Sequence, residues 1–101
     1  MDKGRIRHMA VFTLKSQKNS AETTKFLADG ERILSSIPGV EHFEVLKQVS
    51  EKYDFDFGFS MEFENQEAYD TYNAHPDHQT FVEERWKKEV ERFQEIDFEA
   101  C

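Results

Sequence analysis

YDFDFGFSMEFE, residues 53–64, is the most regular stretch of the sequence and decides the fold. Every odd position carries an aromatic residue or Met61, and every even position carries a small or acidic residue. Such period-two alternation is typical of a β-strand with one buried and one polar face. A slip of one residue would expose the whole apolar set, so the register is strongly fixed. We therefore expect one strand whose apolar side faces helices.

The sequence upstream of this strand predicts two further strands and a helix. Residues 5–15 and 40–49 both alternate in period two, and the second has a mostly polar face that suits an edge strand. Between them, Asn19 or Ser20 can cap a helix, with Glu22 three residues after Asn19 as in a capping box. This helix ends at the Ile-Pro-Gly of residues 37–39. Gly30 lies on the apolar stripe of this helix, so either a strand packs closely against it or space is left there.

The sequence downstream predicts a second helix and a last strand. This helix begins at Asn65 and breaks at His75-Pro76, because the residue before proline avoids the helical region. Pro76 suits the first turn of a new helix, whose apolar residues run to Phe93, and residues 93–99 form a short strand. The β-α-β-β-α-β order predicts an α+β, ferredoxin-like subunit with a four-stranded antiparallel sheet and both helices on one face.

Composition limits the classes of function. The 101 residues suit one domain, residues 1–101, and 13 basic against 21 acidic residues give a net charge of −8. This charge argues against nucleic-acid and membrane-surface partners, which need basic patches, and no apolar run reaches the length of a membrane span. The lone cysteine, Cys101, allows no disulfide framework, so a soluble cytoplasmic protein is the expectation.

The sheet face opposite the helices predicts self-association. Met9, Val11 and Thr13 of the first strand point to that face, which would be partly apolar and bare in a single subunit. Two such faces can pack against each other. We therefore expect a homodimer formed through this face.

Three features of the sequence carry possible chemistry: His8 on the helix side of the first strand, Tyr72 late in the second helix, and the cluster His75-Pro76-Asp77-His78. His78 falls in the first turn of a helix, where the helix dipole disfavours a positive imidazole and so favours a neutral general base. Tyr72 would donate a hydrogen bond to a developing oxyanion in the same space.

The same residues also have purely structural interpretations. His75 suits the end of a helix, and His8, Tyr72 and His78 suit a hydrogen-bonded core. The two histidines of the cluster have no third metal ligand patterned nearby, so neither a metal nor any other cofactor is expected. No Gly-rich phosphate loop or nucleophile elbow is present in the sequence.

Four segments together resemble the stress-responsive dimeric A/B barrel (Dabb) domain family over residues 5–99. They are RHMAVFTLK at 7–15, IPGVEHFEV at 37–45, the aromatic strand ending in FE, and YNAHPDHQTFVEE at 72–84. The His75-Pro76-x-His78 motif followed by Phe81 and Val82 is the strongest of these matches. The resemblance implies two ferredoxin-like subunits whose sheets form a shared barrel, with a cavity inside each subunit between sheet and helices.

The resemblance also implies site residues. The family includes a plant polyketide cyclase that uses neither metal nor organic cofactor, and by this match His78 is the base, Tyr72 assists the carbonyl in an aldol-type step, and His8 is a pocket histidine. The implied pocket lining is Ala10, Phe12, Phe26, Leu27, Gly30, Phe59, Phe81, Val82 and Val90. Phe59 departs from the family pattern, because an aliphatic residue is expected at that position.

Three functions stay open at this point. The first is binding of a small hydrophobic or aromatic metabolite, with or without cofactor-free acid–base chemistry. The second is a non-catalytic stress-response oligomer in which the ten phenylalanines fill the core. The third is a barrel monooxygenase or haem-degrading enzyme, which shares the fold alone.

Overall fold

The structure, a computed structural model, describes residues 2–101. In chain order the elements are β1 (Ile6–Leu14), α1 (Ala21–Ser35), β2 (Glu41–Lys47), β3 (Phe57–Phe63), α2 (Gln66–Ala74), α3 (Pro76–Phe81), a π-helical turn (Val82–Trp86), α4 (Lys87–Glu89) and β4 (Val90–Glu99). Within the described residues, none of the helices is long and apolar enough to cross a membrane.

The four strands form one antiparallel sheet in the order β2-β3-β1-β4. His8 of β1 lies opposite Met61 of β3 and Asp97 of β4, so these three side chains share the face that the helices cover. Met9 lies opposite Ser60 and Ile96 on the other face. The order and register confirm the predicted ferredoxin-like fold.

The core is an aromatic layer between the helices and the sheet. Phe12 is fully buried at its centre, and its ring centroid lies 4.9 Å from that of Phe59 and 5.0 Å from that of Trp86. The ring of Phe26 from α1 meets it edge-on at 5.8 Å. Edge-to-face packing of this kind adds to the free energy gained from burial alone.

Gly30 of α1 is buried against aromatic side chains of the core. A Cβ atom on Gly30 would fall 2.6 Å from Cζ of Phe59, far inside van der Waals contact. The ring of Phe59 therefore occupies the space that a side chain at position 30 would need. The glycine thus leaves space that the rings of Phe59 and Phe81 fill, since the nearest atoms belong to these two side chains and not to a strand backbone.

Two strand boundaries differ from the predicted ones. β3 begins at Phe57 and not at residue 53, because the side-chain amide of Gln48 donates to the carbonyls of Tyr53 and Phe55 in place of a strand partner. The predicted placement of Tyr53 and Phe55 on the helix side is therefore wrong, since both border a groove on the opposite face of the sheet.

β4 is longer than predicted, since it begins at Val90 and not at residue 93. Val90 has an extended backbone and pairs with Leu14, and the N–H of Lys15 donates to the carbonyl of Glu89. This long-range pairing ends the helix at Glu89, four residues before Phe93, the last position of the apolar spacing.

The helix break at His75-Pro76 has the predicted form. His75 has an extended backbone, and its Nδ1 accepts a hydrogen bond from the N–H of Asp77, so that the side chain caps α3. Pro76 occupies the first turn, where its missing N–H is not needed. His75 therefore ends one helix and starts the next.

A π-helical turn follows α3. The N–H of Lys87 donates to the carbonyl of Val82, five residues back, and this wider turn is a form that often marks functional sites. Arg85 in the turn forms ion pairs with Asp29 of α1, at 2.7 Å, and with Glu89. The Asp29 contact ties the turn to α1, and the Glu89 contact ties it to α4.

Candidate functional site

A cavity of about 260 Å³ lies between the helix side of the sheet and the segments α2, α3 and the π-helical turn. Its floor consists of buried side chains, among them Ala10, Phe59 and Met61 of the sheet. Its mouth lies beside β4, where Phe93 and Glu95 are about half-exposed. Residues from seven elements thus converge on one space.

Seven residues named from the sequence line this cavity. They are His8, Ala10, Phe59, Tyr72, His78, Phe81 and Val82. The three polar ones come from β1, α2 and α3, so the fold brings together side chains that are far apart in the chain.

Five residues from the implied lining do not border the cavity: Phe12, Phe26, Leu27, Gly30 and Val90. Phe12 and Phe26 are fully buried and fill the neighbouring part of the core with their rings. Gly30 is screened by the ring of Phe59, and Val90 pairs with Leu14 at the far end of the sheet. Phe12 and Phe26 therefore fill one half of the helix–sheet layer, whereas Phe59 and Phe81 line the cavity in the other half.

Tyr72 and His78 form the first polar pair of the cavity. Their ring centroids lie 4.5 Å apart, and Tyr72 is 2 % exposed. Burial lowers the pKa of His78, the main chain of Asn73 opposes this, and the charge of His8 lowers it further. Burial raises the pKa of Tyr72 well above its usual value, with smaller contributions from Tyr69 and Glu95. A neutral imidazole and a neutral phenol at neutral pH follow from these shifts.

The Nδ1 atom of His78 is buried and has no hydrogen-bond partner within residues 2–101. A buried polar atom without a partner is costly and often marks a functional position. Together with its lowered pKa, this leaves His78 as a base whose Nδ1 atom is not engaged by the described protein groups.

His8 is held by a second cluster, which the sequence interpretation did not include. Nδ1 of His8 lies 2.6 Å from Oδ1 of Asp97, and the Tyr69 hydroxyl lies 3.1 Å from both atoms. Burial and the hydrogen bond to Asp97 raise the pKa of Tyr69 to about 12, so its hydroxyl stays protonated. With Nδ1–H donated to Asp97, the Nε2 atom of His8 is the one left for a ligand.

Glu95 is the other acid at this site that was not singled out. Its Oε1 lies 3.8 Å from Nε2 of His8, and its side chain is 56 % exposed at the cavity mouth. The alternation of β4 carries a signal for both acids, because Ile96 and Phe98 on one face place Glu95 and Asp97 on the other. Only the pairing with β1 shows that this other face is the helix side.

The arrangement suits proton transfer in an apolar pocket. A neutral imidazole accepts a proton, a neutral phenol donates a hydrogen bond to an oxygen that gains charge, and the surrounding rings exclude water. Within the described residues, no group of three or more His, Cys, Asp or Glu side chains is arranged to hold a metal ion.

The lowered pKa of His78 predicts a pH-dependent stability. The unfolded chain, with an ordinary histidine pKa of about 6.5, binds this proton more readily than the folded protein. The stabilising contribution is therefore complete above about pH 6.5 and is lost as the pH falls from there towards the lower folded-state pKa. In urea denaturation, the free energy of unfolding should fall more steeply for the wild type than for His78→Gln between about pH 7 and about pH 5. Equal slopes would contradict the buried, neutral state of His78.

The contact between Gly30 and Phe59 predicts that Gly30→Ala changes the free energy of unfolding in opposite directions, depending on the residue at position 59. Gly30→Ala gains about 1 kcal/mol of helix propensity, but the new methyl group displaces the Phe59 ring, and overpacking costs about 1–3 kcal/mol. We expect Gly30→Ala to destabilise the wild type and to stabilise Phe59→Leu, measured by urea denaturation of all four proteins. The same sign in both backgrounds would show that the ring does not fill the notch.

Comparisons with known proteins extend these observations. The family model described as Stress responsive A/B Barrel Domain (Dabb) matches residues 6–100. A search of curated proteins finds no significant match. Among solved structures, a Dabb family protein with a ferredoxin-like fold from Mesorhizobium loti is 56 % identical over 98 % of this chain and 99 % of its own, with a TM-score of 0.96.

Two more distant structures share the fold. A dimeric protein of unknown function from Bacteroides fragilis is 17 % identical, with a TM-score of 0.75 and coverage of 99 % of this chain and 100 % of its own. A hydroxynitrile lyase from Passiflora edulis is 13 % identical, with a TM-score of 0.82 and coverage of 99 % and 96 %. At these identities the likeness shows the fold alone. The family match and the 56 % identical relative confirm the resemblance in the sequence, and the chain belongs to the stress-responsive A/B barrel domain family.

Proposed function

We propose that this protein binds a small hydrophobic or aromatic metabolite in the cavity and acts on it by cofactor-free acid–base chemistry of the cyclase or aldol type. The observation that carries the proposal is the Tyr72–His78 pair, with ring centroids 4.5 Å apart on the wall of a largely apolar cavity of about 260 Å³. Burial favours the neutral form of both side chains. This combination is the one that a base and an oxyanion donor need at neutral pH.

In this proposal each group has one role. The imidazole of His78 removes a proton from the carbon next to a carbonyl group, and becomes imidazolium while the electron pair moves to the carbonyl oxygen. The hydroxyl of Tyr72 donates a hydrogen bond to that enolate oxygen. His8, fixed by Asp97, positions the polar end of the ligand through Nε2. The enolate carbon then forms the new bond to a second carbonyl carbon, whose oxygen takes the proton back from His78.

The cavity volume supports this function over a filled, purely structural core. Volumes of roughly 300–1,000 Å³ are usual for sites that take drug-sized ligands. At about 260 Å³ the cavity falls just below this range and far above the size of a single water molecule. It therefore suits a small ligand.

An isotope-exchange measurement tests the chemistry. In D₂O, the wild type should speed the replacement of the methyl protons of acetophenone by deuterium, followed by ¹H NMR. His78→Gln and Tyr72→Phe should each lower the protein-dependent rate by about 100-fold or more, the usual contribution of such groups. His42→Gln, at an exposed position of β2, serves as the matched histidine control and should keep the wild-type rate. If acetophenone binds but exchanges its protons no faster than without protein, the proposed chemistry is wrong and only the binding function remains.

We also propose that the protein is a homodimer that associates through the sheet face opposite the helices. Ile96 and Phe98 on this face are 51 % and 45 % exposed in the single chain, and with Met9 and Val11 they border an apolar groove. Exposed apolar patches of this kind mark interfaces, and the Bacteroides fragilis relative is dimeric.

The lone cysteine, Cys101, fits a reducing compartment, and we propose the cytoplasm as the location.

A further inference from the structure

The charges around the cavity are unusually one-sided. Among residues 2–101 no lysine or arginine lines it, and Glu95 stands at its mouth. Sites that bind carboxylates or phosphates normally supply arginine, lysine or free N–H groups at a helix N-terminus. The net charge of −8 adds a long-range repulsion of anions. An anionic ligand therefore meets the carboxylate of Glu95 on entry, and no lysine or arginine among the lining residues offsets it.

Glu95 is close enough to act on the polar end of a ligand. It lies opposite Ala10 in the β1–β4 register, so its side chain starts on the helix side of the sheet. Its carboxylate is 3.8 Å from Nε2 of His8, the atom that remains for a ligand once Nδ1 has bound Asp97. Any carboxylate that reached His8 would come within a few ångströms of Glu95, where like charges repel strongly.

The far end of the cavity limits the size of the ligand. An apolar cavity of about 150 Å³ holds one benzene molecule. The cavity here, at about 260 Å³, has room for one aromatic ring and a short substituent. Phe59, 1 % exposed, closes the deep end, and its ring is seated in the notch at Gly30.

Resting on the proposed function, we infer that the site takes an uncharged, single-ring carbonyl compound, that Glu95 excludes its carboxylate analogues, and that Phe59 sets the depth. The ring of the ligand lies against Phe59, Phe81 and Trp86, and its carbonyl oxygen faces Tyr72 and His8. Both residues that set the specificity lie outside the Tyr72–His78 pair, so the selection is separable from the chemistry.

Trp86 supplies a direct reporter of binding, because it is the one tryptophan in the sequence and lines the cavity. In the ¹⁵N-labelled protein, its indole N–H gives a single signal whose shift follows the titration of a ligand. Acetophenone should produce a saturable shift, and benzoate should bind about tenfold or more weakly, as a like charge nearby requires. Glu95→Gln should tighten benzoate about fivefold or more. Glu99→Gln, on the same side of β4 but away from the cavity, should keep the wild-type preference.

A second pair of variants tests whether Phe59 limits the depth of the cavity. The two-ring probe 1-acetonaphthone should give no saturable shift with the wild type, but should bind Phe59→Leu or, if that variant does not fold, Phe59→Met. Phe63→Leu, a matched change on the same face of β3 but away from the cavity, should not bind it.

The outcomes separate the two proposals. If neither acetophenone nor benzoate shifts the Trp86 signal, the proposed function itself is wrong. If benzoate binds the wild type as tightly as acetophenone does, or if Glu95→Gln leaves the preference unchanged, the exclusion of anions by Glu95 is overturned while the binding function stands. Saturable binding of 1-acetonaphthone to the wild type would overturn the role of Phe59.

Discussion

Phe12→Ala is expected to lower the free energy of unfolding by about 3–5 kcal/mol, the usual cost of removing a fully buried phenylalanine. Phe12 has no exposed surface and its ring packs against those of Phe26, Phe57, Phe59 and Trp86. These rings come from α1, β3 and the π-helical turn, so the substitution removes the contact shared by all three. Small domains have a total stability of about 5–15 kcal/mol, and the loss is a large part of it.

Urea denaturation of the wild type and the variant measures this change. Val49→Ala is the control, because Val49 is 83 % exposed and its truncation should change the free energy of unfolding by about 0.5 kcal/mol or less. A loss below about 1.5 kcal/mol for Phe12→Ala would show that the aromatic layer closes around the missing ring. The cavity beside it could then collapse in the same way and would not be held open for a ligand.

Ile96→Asp is expected to convert the proposed dimer into a monomer. Ile96 is 51 % exposed and lies opposite Met9 on the face assigned to the interface. In a symmetric dimer each substitution appears twice, and a buried carboxylate without a partner is strongly unfavourable. The dimer dissociation constant should rise by about 100-fold or more, equivalent to about 2.7 kcal/mol. The change leaves the helix–sheet core untouched, so the monomer should stay folded.

Light scattering after size exclusion, at micromolar protein, measures this effect. The wild type should elute with the mass of two chains and Ile96→Asp with that of one. Thr71→Asp, an exposed position on α2 and thus on the opposite side of the sheet, should remain dimeric. A wild type with the mass of a single chain would contradict the dimer, and a dimeric Ile96→Asp would place the interface on another face.

The sequence predicts this fold well because its patterns are local. The alternation of residues 57–63 matches β3, and the break at Pro76 lies where the residue types place it. Of the two predicted caps for α1, Ser20 is the N-cap, and its hydroxyl accepts a hydrogen bond from the N–H of Thr23. Errors arise where a distant partner decides the structure. The side chain of Gln48 ends the strand pattern before Phe57, and the pairing of Val90 with Leu14 extends β4.

The candidate site divides in the same way. His8, Tyr72 and His78 can be recognised in the sequence from their residue types and local spacing, and the fold brings them to one cavity. Tyr69, Asp97 and Glu95 become visible only through their contacts with His8, which lies 61 or more positions away in the chain. The volume of the cavity was equally out of reach, because it depends on the fit of the Phe59 ring against Gly30 and on the shape of the π-helical turn.

An apolar ligand is expected to bind between the helices and the sheet with its oxygen towards Tyr72. A crystal structure with 4-bromoacetophenone, phased at the bromine absorption edge, tests it most directly. We expect a bromine peak in contact with Phe59 and Phe81, and the carbonyl oxygen within hydrogen-bond distance of the Tyr72 hydroxyl. Bromine found only in the groove beside Ile96, or in no cavity at all, would contradict it.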